Sequence, residues 1–508
     1  MARFAVACWR WVGAGLWSAA ILLPFLLLLT ATVTGPAPSQ GWSVTDRQLV
    51  LLLKTAGLAG AATVLTFALA LPAAYALGRA VHHRRGSWTA PFLPLPLLVP
   101  PYVYAFGWDG VFGPWLTERF GAWSGWIRAA CVWAGWAWPV PTMILVGTWQ
   151  RIAQGAYQAC LLDTRPARAF RRMVLPILAG HVAAGAVILW VVFMIEYTVP
   201  HACSIQVFAT ELLAWAQAAR HPIDVVWPSL PMVGVVLVAA TVGLAWRRGL
   251  SGLDAQQESP TAEAGYAAWY RGLPLLGLIG LTVLLPLLAL VGRLTSWQSF
   301  AVLWRVHSRD LLESSGIAVG AGVVVVWVGT WLADRGRRPL LRRVAVAGTI
   351  LFGLMPPALV GEALVNAYRP VSMVYDQWPI MVLTQVARWG WIGWLASWVT
   401  NRSVPISLVE QARADGADQT VAMIRVGWRM HWPILACAGA LTAAMALAEV
   451  AAMSMVRPPG IGWIALTLME KFHRLEDQML VTISLVLTAA PFPAMVLGWL
   501  AWQARGRT

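Results

Sequence analysis

Long apolar segments are the feature of this sequence that most restricts its fold. A helix needs roughly twenty apolar residues to cross about 30 Å of hydrocarbon at 1.5 Å per residue. About twelve segments of the 508-residue chain reach this length. With 59% hydrophobic and only 12% charged residues, the chain is too apolar for a soluble protein of two or three domains. We therefore expect an all-α, polytopic membrane protein.

The predicted segments form two groups of six, separated by a polar connector at 249–270 that is rich in Gly, Ala, Ser, Gln and Glu. This connector divides the chain into a first half at 1–248 and a second half at 271–508. The segments of the first half are 13–33, 48–79, 90–111, 125–149, 173–200 and 225–246. Those of the second half are 272–293, 314–334, 342–369, 378–400, 431–456 and 479–502.

Short motifs recur at matching places in the two halves, which indicates an internal repeat. Proline pairs stand in the third segment of each half, at Pro100-Pro101 and Pro356-Pro357. Because six is an even number of crossings, both halves would share one topology and be related by an axis along the membrane normal. The sequence thus predicts two parallel six-helix repeats.

Basic residues decide the predicted orientation. A net charge of +15 would suggest nucleic acid binding in a soluble chain. In a membrane protein the placement of Lys and Arg matters more, because these residues mark cytoplasmic loops. Arginine pairs at 84–85, 247–248 and 342–343 all fall on one side of the predicted segments. We therefore assign both termini to the cytoplasm, expect contact with membrane lipid and expect no nucleic acid partner.

The loop between the fourth and fifth segments of each half carries the strongest functional pattern. In the second half, 410–433 reads EQARADGADQTVAMIRVGWRMHWP, and Gly416 stands where two short helices could hinge. In the first half, 158–176 reads QACLLDTRPARAFRRMVLP. The positions that correspond to one another, or to the pattern described next, are Glu410, Ala412, Asp415 and Gly416 in the second half and Gln158, Ala159, Asp163, Thr164 and Pro176 in the first.

The second loop resembles the cytoplasmic EAA loop of bacterial ABC-importer permeases, which reads Glu-Ala-Ala, three residues, Gly, nine residues and Ile-x-Leu-Pro. Trp428-Arg429 replace Leu-Pro here, whereas the first loop keeps Leu175-Pro176. The whole chain is similar to double-length permeases of the ferric-iron and thiamine type. The resemblance implies that both loops couple to a dimeric cytoplasmic ABC ATPase. It also implies a periplasmic substrate-binding protein, a bacterial inner membrane and import of a small solute such as ferric iron.

Four of the ionisable residues inside predicted apolar segments are candidates for a functional role, because charge there is costly and often functional. They are Glu196, Glu362, Arg388 and Glu449. One interpretation is a hydrated translocation path lined by these side chains. The other is that they pair with neighbours and hold helices together. Glu196 and Glu449 are the stronger candidates for the path, because each follows its loop at a similar distance.

The chain itself is not expected to be an enzyme. A P-loop requires Gly-Lys-Ser/Thr to hold phosphates, but Lys54 follows leucine and Lys471, the other lysine, follows glutamate. ATP hydrolysis would then belong to a separate subunit. Five scattered cysteines form no Cys-x-x-Cys pair, so neither a disulfide framework nor a zinc site is implied. We expect no metal site and no cofactor in this chain. The alternatives are a secondary transporter with internal repeats and, with less support, a membrane-embedded enzyme.

Overall fold

The computed structural model describes residues 2–39, 41, 43–81, 92–149, 154–250, 273–334, 338–417 and 419–490. Within these ranges all regular secondary structure is helical. The predicted connector at 249–270 lies outside the described residues except for its first two positions.

Three of the α-helices up to residue 250 are long and correspond to predicted segments; they begin at Asp46, Leu175 and Ile223. In chain order the α-helices of this part are α1 (Ala2–Trp17), α2 (Leu23–Thr34), α3 (Asp46–Val81), α4 (Leu95–Leu98), α5 (Pro101–Phe120), α6 (Ser124–Ala137), α7 (Pro139–Trp149), α8 (Gln154–Asp163), α9 (Pro166–Ala169), α10 (Leu175–Ile195), α11 (Thr198–Ala202), α12 (Phe208–Ala218) and α13 (Ile223–Leu250). Short π-helical stretches at Ser18–Leu22 and Phe170–Val174 join α1 to α2 and α9 to α10, and a 3₁₀ turn at Gly121–Trp123 joins α5 to α6.

The helices from residue 273 onward repeat this alternation of long and short elements. They are α14 (Leu273–Ile279), α15 (Leu285–Gly292), α16 (Gln298–Ala333), α17 (Pro339–Gly353), α18 (Pro357–Tyr368), α19 (Ser372–Tyr375), α20 (Trp378–Ser403), α21 (Ile406–Ala414), α22 (Gln419–Ala422), α23 (Arg429–Leu447), α24 (Ala451–Val456), α25 (Ile464–His473) and α26 (Asp477–Ala489). Further π-helical stretches at Gly280–Leu284 and Met423–Trp428 join α14 to α15 and α22 to α23.

Among the described residues, seven helices are long and apolar enough to cross a membrane. The number rises to nine if each of two bent pairs counts as one span. These helices indicate a multi-pass membrane protein. The total of about twelve spans is not confirmed. Segment 378–400 forms α20 but is not among these helices, and segments 90–111 and 125–149 fall together in one bent pair. Segment 479–502 extends beyond the described residues.

The chain divides by spatial packing into two compact units. Unit 1 comprises Met1–Thr45, Glu211–Leu230 and Leu294–Thr508, and unit 2 comprises Asp46–Thr210 and Pro231–Arg293. The first apolar helix of each predicted half thus belongs to the unit built mainly from the other half. The halves at 1–248 and 271–508 follow chain order and stay a prediction.

Unit 1 is organised around α16, which crosses α20 and α23 at glycines. A Cβ atom on Gly329 of α16 would lie 2.1 Å from the carbonyl carbon of Gly393 in α20. A Cβ atom on Gly322 would lie 2.5 Å from the carbonyl oxygen of Gly439 in α23. Neither distance is sterically possible, so these crossings require glycine. Such close backbone approach through small residues is typical of helix packing in membranes.

The helix pair α1–α2 packs onto the same unit through hydrogen bonds as well as apolar contacts. The indole Nε1 of Trp17 donates to Thr349 Oγ1 at 2.9 Å. The hydroxyl of Tyr368 in α18 donates to the carbonyl of Ala19 at 2.7 Å. Both bonds satisfy polar groups that would otherwise face an apolar environment.

Unit 2 accommodates α14–α15 in a comparable way. Gly107 of α5 faces Pro286 of α15 so closely that a Cβ atom would lie 2.6 Å from the Pro286 carbonyl oxygen. The indole Nε1 of Trp138 donates to Thr282 Oγ1 at 3.1 Å. The remaining core of this unit is formed by α3 against α6, α7 and α10.

Candidate functional site

The second loop contains a left-handed turn at the position predicted to hinge. Helix α21 ends at Ala414, and Gly416 has φ +86°, a conformation that favours glycine. The N–H of Gly416 donates to the carbonyl of Arg413 at 2.9 Å, and the N–H of Ala417 donates to that of Ala412 at 3.0 Å. This pair of bonds is the Schellman arrangement that ends a helix. Glu410 and Asp415 are exposed around the turn.

The first loop ends its helix without a left-handed residue. Thr164 follows α8, and both its N–H and its hydroxyl donate to the carbonyl of Cys160, at 3.0 Å and 3.2 Å. Ala159 and Asp163 are exposed, as is Pro176 at the start of α10. Gln158 lies on α8. The hydroxyl of Thr164 therefore occupies the place where the second loop uses glycine.

Both loops nevertheless have the same layout. Each consists of a helix of nine or ten residues, a tight turn, a four-residue helix and a π-helical stretch that leads into a long apolar helix. A π-helical turn is rare and is often found at functional positions. In each loop the helix before the turn, α8 or α21, has mostly exposed side chains among those described.

A hydrogen-bonded network fixes the second loop to two other helices. Arg10 of α1 donates through Nε to Asp334 Oδ2 at 3.0 Å and through Nη2 to Thr420 Oγ1 at 2.6 Å. The Thr420 hydroxyl donates in turn to Asp334 Oδ1 at 2.9 Å. Thr420 is the second residue of α22, and Asp334 follows the last residue of α16. Sequence reasoning missed this network, although Asp334 is an acid directly before a cluster of arginines, which was an available signal.

Glu196 lies where the predicted segment 173–200 breaks. Helix α10 ends at Ile195, and Glu196 caps α11 by accepting hydrogen bonds from the N–H of Thr198 at 2.7 Å and of Val199 at 3.0 Å. The Thr198 hydroxyl also donates to it. The indole Nε1 of Trp133 in α6 donates to Glu196 Oε2 at 3.1 Å. The carboxylate is thus engaged through both oxygens.

Glu449 stands at the corresponding break of segment 431–456. It follows α23 and accepts a hydrogen bond from the N–H of Ala452 in α24 at 3.1 Å. Its second oxygen accepts one from Nε of Arg388 at 3.3 Å, and both side chains are only 6% exposed. The structure therefore brings Glu449 and Arg388 together as a buried ion pair.

Glu362 is placed apart from these groups. It lies half-buried on α18, the helix that packs between α2 and α24. The adjacent Gly361 lies so close to α24 that a Cβ atom would be 3.1 Å from Cβ of Met455. Among the described residues no hydrogen bond to the Glu362 carboxylate is found.

Two further pairs of contacts match between the chain's earlier and later parts. Pro100 and Pro356 are both N-cap residues of the helices that follow, with φ and ψ of −55° and 132° and of −51° and 134°. Helix α12 begins with the N–H of Phe208 donating to Thr55 Oγ1 at 2.9 Å. Helix α25 begins with the N–H of Ile464 donating to Ser314 Oγ at 2.8 Å. In both of these hydrogen bonds a buried hydroxyl of a long helix caps a short one.

An apolar groove of about 490 Å³ lies between α16 and α23 in unit 1. Its lining includes Gly322 and Gly439 and contains one hydroxyl, that of Ser315, but no charged side chain. In the described residues no group of three or more His, Cys, Asp or Glu side chains could hold a metal ion.

Two exposed loop helices are linked to long helices, and carboxylates cap the breaks of those helices. Comparison with family models, curated proteins and solved structures finds no match.

Proposed function

We propose that this chain is the membrane-spanning permease of an ATP-driven ABC importer, moving a small solute from periplasm to cytoplasm by alternating access. The observation that carries the proposal is the pair of loops at 158–176 and 410–433. Each presents a short helix and then enters a long apolar helix through a π-helical stretch. A soluble subunit that grips such a helix can move the long helix attached to it.

The matched contacts support two parallel six-helix repeats. Glu196 and Glu449 each cap a short helix by accepting a hydrogen bond from the N–H of the residue three positions further along the chain. Thr55 and Ser314 each cap the next short helix, and a proline pair opens a helix in both parts. Unrelated sequences would have no reason to repeat these contacts in the same order.

The proposal includes partners that the chain lacks. A dimeric cytoplasmic ATPase would bind both loops, and a periplasmic protein would deliver the solute, with ferric iron among the candidates. Both termini and both loops would face the cytoplasm of a bacterium, in agreement with the basic residues around them.

The test is to purify the tagged chain with its associated proteins from its native membrane and to reconstitute it into vesicles. We expect an ABC-type ATPase to co-purify and uptake to require ATP. The decisive comparison is uptake with ATP against uptake driven by an ion gradient alone. Gradient-driven uptake without ATP would refute the proposal.

A secondary transporter is the second candidate, and the environment of the Glu362 carboxylate favours it. A half-buried carboxylate that accepts no hydrogen bond from the described residues resembles the proton-carrying groups of such transporters. Glu362→Gln would then abolish gradient-driven uptake, whereas an ATP-driven importer would retain most of its uptake.

A further inference from the structure

The proline pair at 356–357 leaves a carbonyl group of α17 without its usual donor. In an α-helix the N–H of residue i+4 donates to the carbonyl of residue i, and proline has no N–H. The carbonyl of Gly353 loses its donor because residue 357 is proline. The helices α17 and α18 meet at a bend of 115°, and the bend is buried. A buried carbonyl without a donor is unfavourable, so another group has to supply the hydrogen bond.

Arg388 of α20 supplies it. Its Nη1 donates to the carbonyl of Gly353 at 3.3 Å and to that of Met355 at 3.1 Å. Its Nε donates to Glu449, the cap of α24, at 3.3 Å. A guanidinium holds its donors in a rigid planar fork, so one side chain can serve all three acceptors. Arg388 therefore contacts both the α17–α18 bend and the α23–α24 break.

The corresponding breaks in the earlier part of the chain are satisfied by neutral groups. Pro100 deprives the carbonyl of Pro96 of its donor, and the hydroxyl of Tyr104 donates to that carbonyl at 3.1 Å. At the other break, Trp133 Nε1 donates to Glu196 at 3.1 Å. Because Tyr104 and Trp133 are separate side chains, each of these breaks has its own donor.

We propose that Arg388 is a positioning residue that ties the α17–α18 bend to the α23–α24 break, so that the two breaks move as one. Its role is more than neutralising Glu449, because two of its three hydrogen bonds go to carbonyl groups of the bend. The consequence for transport rests on the proposed function. Helix α20 leads directly into the loop helix α21, so Arg388 links both breaks to the loop that would bind the ATPase.

A disulfide between α18 and α24 measures this connection, since α18 follows the bend and α24 follows the break. A Cβ atom on Gly361 would lie 3.1 Å from Cβ of Met455, below the roughly 3.5–4.5 Å found in disulfides, so the two helices must separate by a few tenths of an ångström for the bridge to form. The experiment uses the full chain with Gly361→Cys and Met455→Cys, purified in lipid nanodiscs, and records the rate of oxidative cross-linking. The native cysteines are first replaced by alanine; they are Cys8, Cys131, Cys160, Cys203 and Cys437.

Arg388→Met and the double variant Arg388→Met/Glu449→Gln separate positioning from charge balance. The double variant contains no unpaired charge at this site, but it still lacks donors for the bend. We expect both to cross-link roughly tenfold more slowly, the factor that corresponds to about 1.4 kcal/mol. A wild-type rate in the double variant would show that Arg388 only balances Glu449. A wild-type rate in Arg388→Met would show that it positions nothing.

Two further variants guard against general misfolding. Arg388→Lys keeps a charge opposite Glu449 but replaces the fork by a single ammonium group, so we expect a folded protein that still cross-links slowly. A wild-type rate in Arg388→Lys would overturn the proposal. Tyr104→Phe removes the neutral donor of the other bend and should leave the cross-linking rate unchanged; a matching loss there would also overturn it. Because the assay uses the chain alone, its result does not depend on whether an ATPase drives uptake.

Discussion

Replacing Gly416 by alanine isolates the backbone strain of the second loop. Gly416 has φ +86°, and a Cβ atom there would meet no other atom within 4 Å. The substitution therefore strains the backbone without creating a clash. An L-residue in the left-handed region is unfavourable by about 1–2 kcal/mol, which lowers the equilibrium constant between the native turn and its alternatives by roughly 5- to 30-fold. If this turn presents the loop to an ATPase, the apparent affinity falls in proportion to the lost population of the turn, by at most the same factor.

Gly460 provides a matched control for this variant. It has φ +82°, also meets no atom within 4 Å, and lies between α24 and α25. Gly460→Ala therefore introduces the same strain at a place outside both loops. The two variants should lose similar amounts of thermal stability.

The assay is substrate-stimulated ATP hydrolysis by the reconstituted complex, measured as a function of ATPase concentration. Gly416→Ala should need more ATPase for half-maximal activity, by up to roughly 30-fold, whereas Gly460→Ala should behave as wild type. Equal effects of these two variants would refute the reasoning.

Thr164→Val should be mild, since the N–H of Thr164 keeps its bond to Cys160. Equal losses of substrate-stimulated ATP hydrolysis from Gly416→Val and Thr164→Val would contradict the hypothesis that the second loop dominates coupling.

Three other predictions follow from the same contacts. The purified chain alone should neither bind nor hydrolyse ATP, and micromolar nucleotide binding in a calorimeter would contradict this. Glu449→Ala leaves Arg388 buried without its partner and should destabilise the protein by about 3–5 kcal/mol, more than Glu196→Ala, whose partners are neutral; uptake per folded molecule distinguishes this from a role in the path. Thr420→Val removes two hydrogen bonds, one donated to the buried Asp334 and one accepted from Arg10, an expected loss of about 1–3 kcal/mol, and should speed hydrogen exchange of amides in α22.

The turn at Gly416 and the helix starts at the proline pairs could be anticipated because their causes are local. Gly416 follows a short amphipathic stretch, and a glycine after a helix commonly takes the left-handed conformation. Prolines 100 and 356 remove hydrogen bonds whatever surrounds them. In such cases a few neighbouring residues determine the backbone, and the sequence displays them.

The breaks at Glu196 and Glu449 were not anticipated, because apolar composition does not distinguish one continuous helix from two. Segments 173–200 and 431–456 were both expected to be continuous. The acid itself was the available signal: a carboxylate at this position can accept the free N–H groups of a new helix. Whether the acid marks a helix break or lies within a continuous helix depended on partners such as Trp133 and Arg388, which are distant in sequence.

The placement of α1–α2 and α14–α15 could not be predicted either. Each pair is apolar and long enough to span a membrane, so its composition alone does not determine which apolar surface it packs against. The choice of unit depends on shape, such as the close approach of Gly107 to Pro286, and on single hydrogen bonds such as that from Trp17 to Thr349. Neither can be read from hydropathy.

At the breaks after α10 and α23 the two parts of the chain solve the same structural problem with different chemistry. Where the later part uses the ion pair of Arg388 and Glu449, the earlier part uses the indole of Trp133. A buried ion pair loses much more when one partner is removed than a neutral hydrogen bond does. Substitutions in the later part should therefore have the larger effects, and Trp133→Phe should be milder than Arg388→Met. If one polypeptide always supplies both halves, neither needs to function as a copy of the other, and coupling can concentrate in the half that keeps the Arg388–Glu449 ion pair and Gly416.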